Sequence, residues 1–311
     1  MKSLSSLLFV CLVGCSGRLA ADSTTKDPPH PVASTLVAEA VYGDVAALAV
    51  DATDVYWISI PTGGTQGTLF RAPKTGGVAT LVSSAIASEY VADLELDRER
   101  AYVVSSRGLL KIATGGNAAP VEVTRSCRHA AVAAETLFWA LDDGTIHSTP
   151  AQSGAPSTLV DDRNGVDDLT VDGSHIYWVR RHPSTLMQAD LNGTNVVALD
   201  TMRDTNNTFV TLDDGAVYWG TADNVRKVTK ATRAAAVVRL IDFYPGPRTR
   251  SDGQHLYTSD RGIRRIPVSG GNTTVVVTNA AAASFAIDDG FVYWAENRSM
   301  NSAASIRRIA K

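Results

Sequence analysis

Near its middle the chain reads Ile176-Tyr177-Trp178, and this apolar-aromatic-Trp triplet returns along most of the sequence. Full copies stand at Val55-Tyr56-Trp57, Leu137-Phe138-Trp139, Val217-Tyr218-Trp219 and Val292-Tyr293-Trp294, and weaker copies at Ala101-Tyr102-Val103 and Leu256-Tyr257-Thr258. All five tryptophans occupy the third position, and the central aromatic recurs at steps of 36 to 46 residues. Seven repeats of this length are typical of a propeller or a solenoid.

Each repeat contains signals for four short strands. An alternating segment such as Leu169-Thr170-Val171 precedes the triplet, and an Asp-containing turn joins the two as a hairpin. A third segment, as in residues 263–266, and a fourth, as in residues 274–277, are separated by the turn Gly270-Gly271. Four strands per repeat predict an all-β fold, a seven-bladed β-propeller of four-stranded blades, with six or eight blades as alternatives.

The two ends of the repeat region predict how the ring closes. The seventh repeat stops after its third strand at Lys311, whereas residues 34–37 match the fourth strand of other repeats. We therefore expect an N-terminal strand to complete the last blade, which removes an open sheet edge.

The N-terminus has the features of a processing signal. Lys2 precedes an apolar stretch from Leu7 to Val13, which is too short to span a bilayer. Leu12-Val13-Gly14-Cys15 resembles the lipobox of bacterial lipoproteins, and the alternative is an ordinary signal peptide with a chance cysteine. The resemblance implies cleavage before Cys15, lipidation of its sulfur with acyl chains such as palmitate, and anchoring in the bacterial cell envelope. Ser16 then favours the outer membrane over the inner one.

These features divide the chain into a signal peptide (1–14), a lipidated Cys15 with a flexible tether (15–31) and a propeller (32–311). After loss of Lys2 the remaining chain carries 28 basic and 32 acidic side chains, which argues against nucleic acid as a partner. With Cys11 removed and Cys15 lipidated, Cys127 stands alone and no intramolecular disulfide is expected. We expect a monomer whose membrane contact is the lipid anchor.

One repeat carries a more specific resemblance. Residues 171–199 read VDGSHIYWVRRHPSTLMQADLNGTNVVAL, which resembles a YWTD-type propeller repeat of the lipoprotein-receptor class. In no copy, however, is the tryptophan followed by Thr-Asp, and those receptors usually have six blades. The receptor function is therefore not carried over. A lipidated bacterial propeller also resembles in plan the envelope lipoproteins and periplasmic propellers that act as assembly scaffolds.

The connections between strands two and three, and between blades, vary in sequence, whereas the other turns are short and uniform. In a propeller both variable kinds open on the same face, where binding residues are usually placed. The binding candidates on these connections are Tyr90, Arg180, Arg181, His182, Asp223, Tyr244, Asp260, Arg261, Glu296 and Arg298. Each could equally be a solvated loop residue.

Two charges interrupt the first strands, which line the central channel of a propeller. The corresponding position of the other repeats carries Ala or Thr, whereas Glu95 and Arg250 occupy it in repeats two and six. A charge there marks a possible site, or is balanced by channel water and a local counter-charge. Because blades two and six are not adjacent, we expect no direct pair between Glu95 and Arg250.

No residue set identifies a metal, a cofactor or a reaction. The doublets Asp142-Asp143, Asp167-Asp168, Asp213-Asp214 and Asp288-Asp289 lack the spacing of a calcium loop, and no His pair has ligand spacing. No nucleophile elbow is present either, so no catalytic triad is predicted.

Three functions remain open. The first is a lipid-anchored, non-enzymatic propeller that binds an envelope protein or polymer through its variable face, and a large apolar or aromatic patch there would favour it. The second is a hydrolase or lyase at the channel mouth, with Asp161, Asp223, Glu296 or His182 as acid or base. Convergent channel carboxylates, one with a raised pKa, would favour this enzyme. The third is a glycan-binding module, with Tyr90 and Tyr244 as exposed stacking platforms.

Overall fold

The computed structural model describes residues 33–39, 43–87, 90–152, 154–203, 209–221, 224–240, 248–259, 262–278, 284–296 and 304–311. Within them the chain forms seven antiparallel sheets of four strands each, and no helix. The prediction of a seven-bladed all-β propeller is therefore confirmed. The signal peptide and the tether, with Cys15, lie outside the described residues.

The strands follow the repeats. The N-terminal strand is β1 (Thr35–Glu39). Blade one is β2 (Asp44–Val50), β3 (Asp54–Ile60), β4 (Gln66–Pro73) and β5 (Thr80–Ala87); blade two is β6 (Val91–Leu96), β7 (Arg100–Ser105), β8 (Gly108–Ala113) and β9 (Val121–Thr124). Blade three is β10 (His129–Ala133), β11 (Thr136–Ala140), β12 (Thr145–Pro150) and β13 (Ser157–Asp161); blade four is β14 (Val166–Val171), β15 (His175–Arg180), β16 (Thr185–Asp190) and β17 (Val197–Thr201). Blade five is β18 (Phe209–Leu212), β19 (Ala216–Thr221), β20 (Asn224–Thr229) and β21 (Ala235–Leu240); blade six is β22 (Arg250–Ser251), β23 (His255–Ser259), β24 (Gly262–Pro267) and β25 (Thr274–Thr278). Blade seven contains β26 (Phe285–Ile287), β27 (Phe291–Glu296) and β28 (Ser305–Ala310).

The N-terminal strand closes the ring as expected. The seventh sheet has the order β1-β28-β27-β26, so β1 supplies its fourth, outermost strand. The pairing is antiparallel, from Thr35 opposite Arg308 to Glu39 opposite Ser305. Blade seven is thereby built from both ends of the described chain, which ties the first and last repeats together.

The core lies between the blades rather than within one central mass. Since successive side chains of a strand point to opposite faces, the aromatic triplet serves two junctions at once. Trp57 packs in a cluster with Tyr293 of blade seven, whereas Tyr56 packs in a cluster with Val103 of blade two. The same alternation places Tyr102 with Trp139 at the next junction. The recurrent triplet is therefore the packing unit of the ring.

Strand direction sorts the connections onto two faces. Because neighbouring strands are antiparallel, the connections between the second and third strands and between blades emerge on one face, here called the loop face. The hairpins between first and second strands, and the turns between third and fourth strands, emerge on the opposite face, here called the turn face. In the described part of the chain no helix is long and apolar enough to cross a membrane.

Candidate functional site

The first strands of the blades line the channel, and their side chains form two rings. The ring seen in the sequence contains Ala49, Glu95, Ala131, Thr170, Thr211, Arg250 and Ala286. Two residues earlier, closer to the loop face, lies a second ring of positions, occupied by Ala47, Asp93, His129, Asp168, Phe209, Arg248 and Ser284. Of these, Ala47 and Phe209 are buried between blades. The second ring concentrates charge at the mouth of the channel.

Arg248 holds four blades together across this mouth. Its Nε atom donates to the carbonyl oxygen of Ala92 at 3.0 Å, and Nη2 donates to the same oxygen. Its Nη1 atom donates to Ser284 Oγ at 2.9 Å and to the carbonyl oxygen of Ala46 at 3.3 Å. The guanidinium of blade six is thus bound to blades one, two and seven, and its side chain is buried.

The expectation that Glu95 and Arg250 do not pair is wrong. Arg250 Nη2 lies 3.5 Å from Glu95 Oε1 and 3.7 Å from Asp93 Oδ1. Blades two and six are not neighbours in the ring, but both first strands face the narrow channel, so two long side chains meet across it. Burial and the adjacent Asp93 carboxylate raise the pKa of Glu95 to about 7, although Arg250 acts in the opposite direction.

On the other side of the channel, His129 and Asp168 connect blades three, four and five. His129 Nδ1 lies 3.1 Å from Asp168 Oδ1, which also accepts a hydrogen bond from the Leu169 amide. The second oxygen, Oδ2, accepts from the Val210 amide at 2.8 Å. The carboxylate is therefore fixed in place, and it fixes the imidazole in turn.

A cavity of about 560 Å³ opens among these groups, which is within the range of roughly 300 to 1,000 Å³ typical of ligand pockets. Its wall combines the channel charges with Thr170 and Thr211. Its rim includes Tyr90, which is 63% exposed, and the ion pair between Arg128 Nε and Asp142 Oδ1 at 2.9 Å. Tyr90 and Arg128 belong to connections between blades, so the cavity opens on the loop face.

Cys127 also lines this cavity as a free thiol. Burial, together with the negative charges of Asp142 and Asp93, raises its pKa well above the ordinary value. The thiol donates weakly to the carbonyl oxygen of His129 at 3.5 Å. Since the thiolate is the nucleophilic form, this cysteine is suited to packing rather than to chemistry.

The structure brings together only some of the predicted candidates. Tyr90, Glu95 and Arg250 line the cavity. Arg180 and Arg181 instead bind carboxylates beside it: Arg180 Nε lies 2.8 Å from Asp162 Oδ2, and Arg181 Nε lies 2.5 Å from Asp167 Oδ1. These two ion pairs stabilise the loop face.

Three more candidates lie apart from the cavity. His182 is exposed, Glu296 pairs with Arg307 Nε at 2.6 Å, and the exposed Asp161 pairs with Arg163 Nη2 at 3.2 Å. The remaining candidates lie outside the described residues: Asp223, Tyr244, Asp260, Arg261 and Arg298.

Sequence reasoning missed Asp93, His129, Asp168 and Arg248 as a set. All four lie two residues before the channel position that Glu95 and Arg250 occupy in their blades. Extending the comparison of the repeats by two residues along the first strands would have found them. In the sequence Asp168 stands out only as part of an acidic doublet. Among the described residues no group of three or more His, Cys, Asp or Glu side chains is placed to hold a metal ion.

Comparisons with solved structures agree with this fold. The chain superposes on the extracellular domain of a hybrid two component system from B. thetaiotaomicron with a TM-score of 0.66 and 11% identity, covering 90% of this chain and 43% of that one. It also matches BamB from Moraxella catarrhalis (TM-score 0.55, 14% identity, 86% of each chain). A chain of the nidogen/laminin complex matches with a TM-score of 0.54 and 19% identity, over 68% of this chain and 91% of that one.

At such identities the matches establish the β-propeller fold and leave the function open. No protein-family model matches the chain, and no curated protein matches it either.

Proposed function

We propose that this protein is a binding propeller, held at the bacterial envelope by a lipid on Cys15, that takes its ligand at the channel mouth. The ligand is part of an envelope protein or polymer. One observation carries the proposal: a cavity of ligand size, lined by charges from blades two, three, four and six, opens among the variable connections of the loop face. Its walls are fixed by contacts between blades, as a preformed site requires.

The lipid anchor and the outer-membrane location rest on the sequence resemblance at residues 12–15. An anchor at the N-terminus would keep the propeller within reach of envelope components. Dual or triple acylation is durable, because each buried methylene contributes about 0.8 kcal/mol.

A second candidate is a hydrolase or lyase, and a specific observation favours it. Asp93, Glu95 and Asp168 converge on one cavity with His129, and the pKa of Glu95 is raised to about 7. A carboxyl group of that pKa suits general acid catalysis near neutrality. Asp93 and Asp168, by contrast, each accept a backbone N–H bond that holds them as fixed acceptors. Glu95 is therefore the acid of this second candidate.

The proposal is tested by placing a photoreactive benzophenone residue at position 90 in the full chain and irradiating intact cells. Position 90 lies at the rim of the cavity, so we expect a discrete adduct. The matched control is the same residue at position 78, where Val78 is 88% exposed on the turn face. Adducts of equal yield from both positions, or none from position 90, would contradict binding at the mouth. Cleavage of the trapped ligand by wild type but not by Glu95→Gln would support the enzyme instead.

A further inference from the structure

We infer that the channel-mouth cavity binds the end of a neutral, hydroxyl-rich carbohydrate chain. The inference rests on the proposed function and names the class of ligand that the site selects. It follows from the pairing of the charged groups within the wall, from the mixture of donors and acceptors there, and from the aromatic ring at the rim.

The charged side chains in the wall already have polar partners within it. Asp168 contacts His129, and Arg250 lies between Glu95 and Asp93. At the rim Arg128 is paired with Asp142 in the same way. A ligand with a net charge would have to separate such a pair inside a cavity where charges are poorly solvated, and that is costly. A neutral ligand avoids this cost.

The same wall offers both partners that a hydroxyl group needs. Carboxylates accept hydrogen bonds, a guanidinium donates up to five, and each sugar hydroxyl can do both. Thr170 and Thr211 add two hydroxyls on neighbouring blades, at the ring position where other blades carry Ala, Glu or Arg. Closely spaced donors and acceptors of this kind match a polyol better than a peptide, whose side chains are mostly apolar at the centre of an interface.

Tyr90 supplies an apolar surface where the ligand would leave the cavity. The residue is 63% exposed at the rim, which is unusual for a large aromatic residue. A tyrosine ring has apolar faces and a polar hydroxyl group that can stay in water. It therefore suits a ligand that alternates C–H faces and hydroxyl groups. The other large exposed hydrophobic residues of the described chain lie on outer strands or on turns: Leu36, Val78, Leu81, Val121, Val196, Val237 and Val275. None of them extends the rim into an apolar patch of the kind that a protein partner would cover.

The test uses the full chain, purified in mild detergent, on an array of neutral and uronic-acid-containing oligosaccharides. The best neutral oligosaccharide is then titrated by calorimetry. We expect binding to neutral chains, a loss of about tenfold or more in affinity for Tyr90→Ala, and a loss of several-fold for Thr170→Val. The matched control is Thr136→Val, which removes a hydroxyl on the turn face. Unchanged melting temperatures would show that the variants are folded.

Each outcome separates this inference from the proposed function. Binding only to acidic oligosaccharides, or neutral binding that Tyr90→Ala and Thr170→Val leave intact, would overturn the carbohydrate inference. So would an empty array together with a protein adduct from position 90, although the proposed function would then stand. If the array is empty and position 90 gives no adduct, both fail.

Discussion

The hydroxyl of Tyr102 donates to Asp97 at 2.8 Å, and the hydroxyl of Tyr293 donates to Asp288 at 2.9 Å. Each pair joins the central aromatic of a blade to the hairpin aspartate of the same blade, and six blades carry both residues. Blade three has Ala133 and Phe138 at these positions, so the carboxylate and the hydroxyl are lost together. A phenol buried there would have no acceptor, which explains the phenylalanine.

Phe138→Tyr should therefore destabilise the protein. Phe138 is buried, and a hydroxyl left without its partner costs about 1 to 3 kcal/mol. Adding Ala133→Asp recreates the pair of the other blades and should recover much of that loss. Urea unfolding followed by tryptophan fluorescence measures the free energy of unfolding for the two single variants and the double variant. A double variant no more stable than Phe138→Tyr would show that the pair is not the cause.

The sequence contains a signal for the pairing of tyrosine with aspartate, because the two residues recur at a fixed separation of five positions. In the sequence alone the tyrosine indicates a strand and the aspartate a turn, as two separate signals. Their contact depends on how the two strands of the hairpin align, and this register is seen only when the sheet is built. The placement of the tyrosines and tryptophans on opposite faces of their strands, by contrast, follows from strand alternation alone.

At the scale of the element, the hairpins between first and second strands have two different turn structures. In blade one, Asp51 Oδ1 accepts from the amides of Thr53 and Asp54 at 2.8 and 2.7 Å, and five other blades repeat this arrangement. Blade three lacks the aspartate, and Ala134 and Glu135 take φ angles of 47° and 57° instead. Two successive positive φ angles indicate a type I′ turn, and such angles are energetically unfavourable for Ala and Glu.

Replacing Ala134-Glu135 by Asn-Gly should stabilise blade three. Asn and Gly are the preferred residues of a type I′ turn, and the native pair costs about 1 kcal/mol or more in this conformation. We expect the melting temperature to rise by about 2 to 4 °C, measured by scanning calorimetry. The control places Asn-Gly at residues 98–99 of blade two, where no positive φ angle is found, and should give no such gain. An equal rise in both variants would contradict the explanation.

At the scale of the whole molecule, the blade count and the closing strand followed from the sequence because both repeat a local pattern. The channel network did not follow in full. Glu95 and Arg250 were recognised as unusual, but their contact joins residues 155 positions apart in blades that are not neighbours. Such a contact depends on the width of the channel, and no local pattern encodes that width. For the charged candidates on the variable loops, the sequence likewise does not show which are already paired within the protein. Arg180 and Arg181 both form ion pairs with carboxylates.

Three lysine–aspartate pairs connect successive blades around the ring. Lys74 Nζ lies 2.8 Å from Asp288 Oδ2, Lys230 Nζ lies 2.8 Å from Asp172 Oδ2, and Lys311 Nζ lies 3.1 Å from Asp252 Oδ2. Burial raises the pKa of each aspartate, but hydrogen bonds from the lysines and from backbone amides outweigh it and lower the pKa below its ordinary value. In acid the folded state therefore binds fewer protons than the unfolded state. The stabilisation is complete above the unfolded pKa and is lost as the pH falls through the folded pKa.

The free energy of unfolding should therefore fall steeply below about pH 4, and Asp288→Asn should make that fall shallower. The amide keeps an oxygen that can accept the turn hydrogen bonds, but it does not titrate, so the slope decreases by up to about 1.4 kcal/mol per pH unit. The raised pKa of Glu95 has the opposite effect on the free energy of unfolding, which it lowers as the pH rises from the ordinary pKa of 4.5 to about 7. That range lies above the acid range considered for Asp288. Urea titrations from pH 4.5 downward measure the slope. Asp161→Asn, at an exposed position on the outer strand of blade three, is the matched control. An Asp288→Asn slope equal to that of wild type would show that this blade junction does not control acid unfolding.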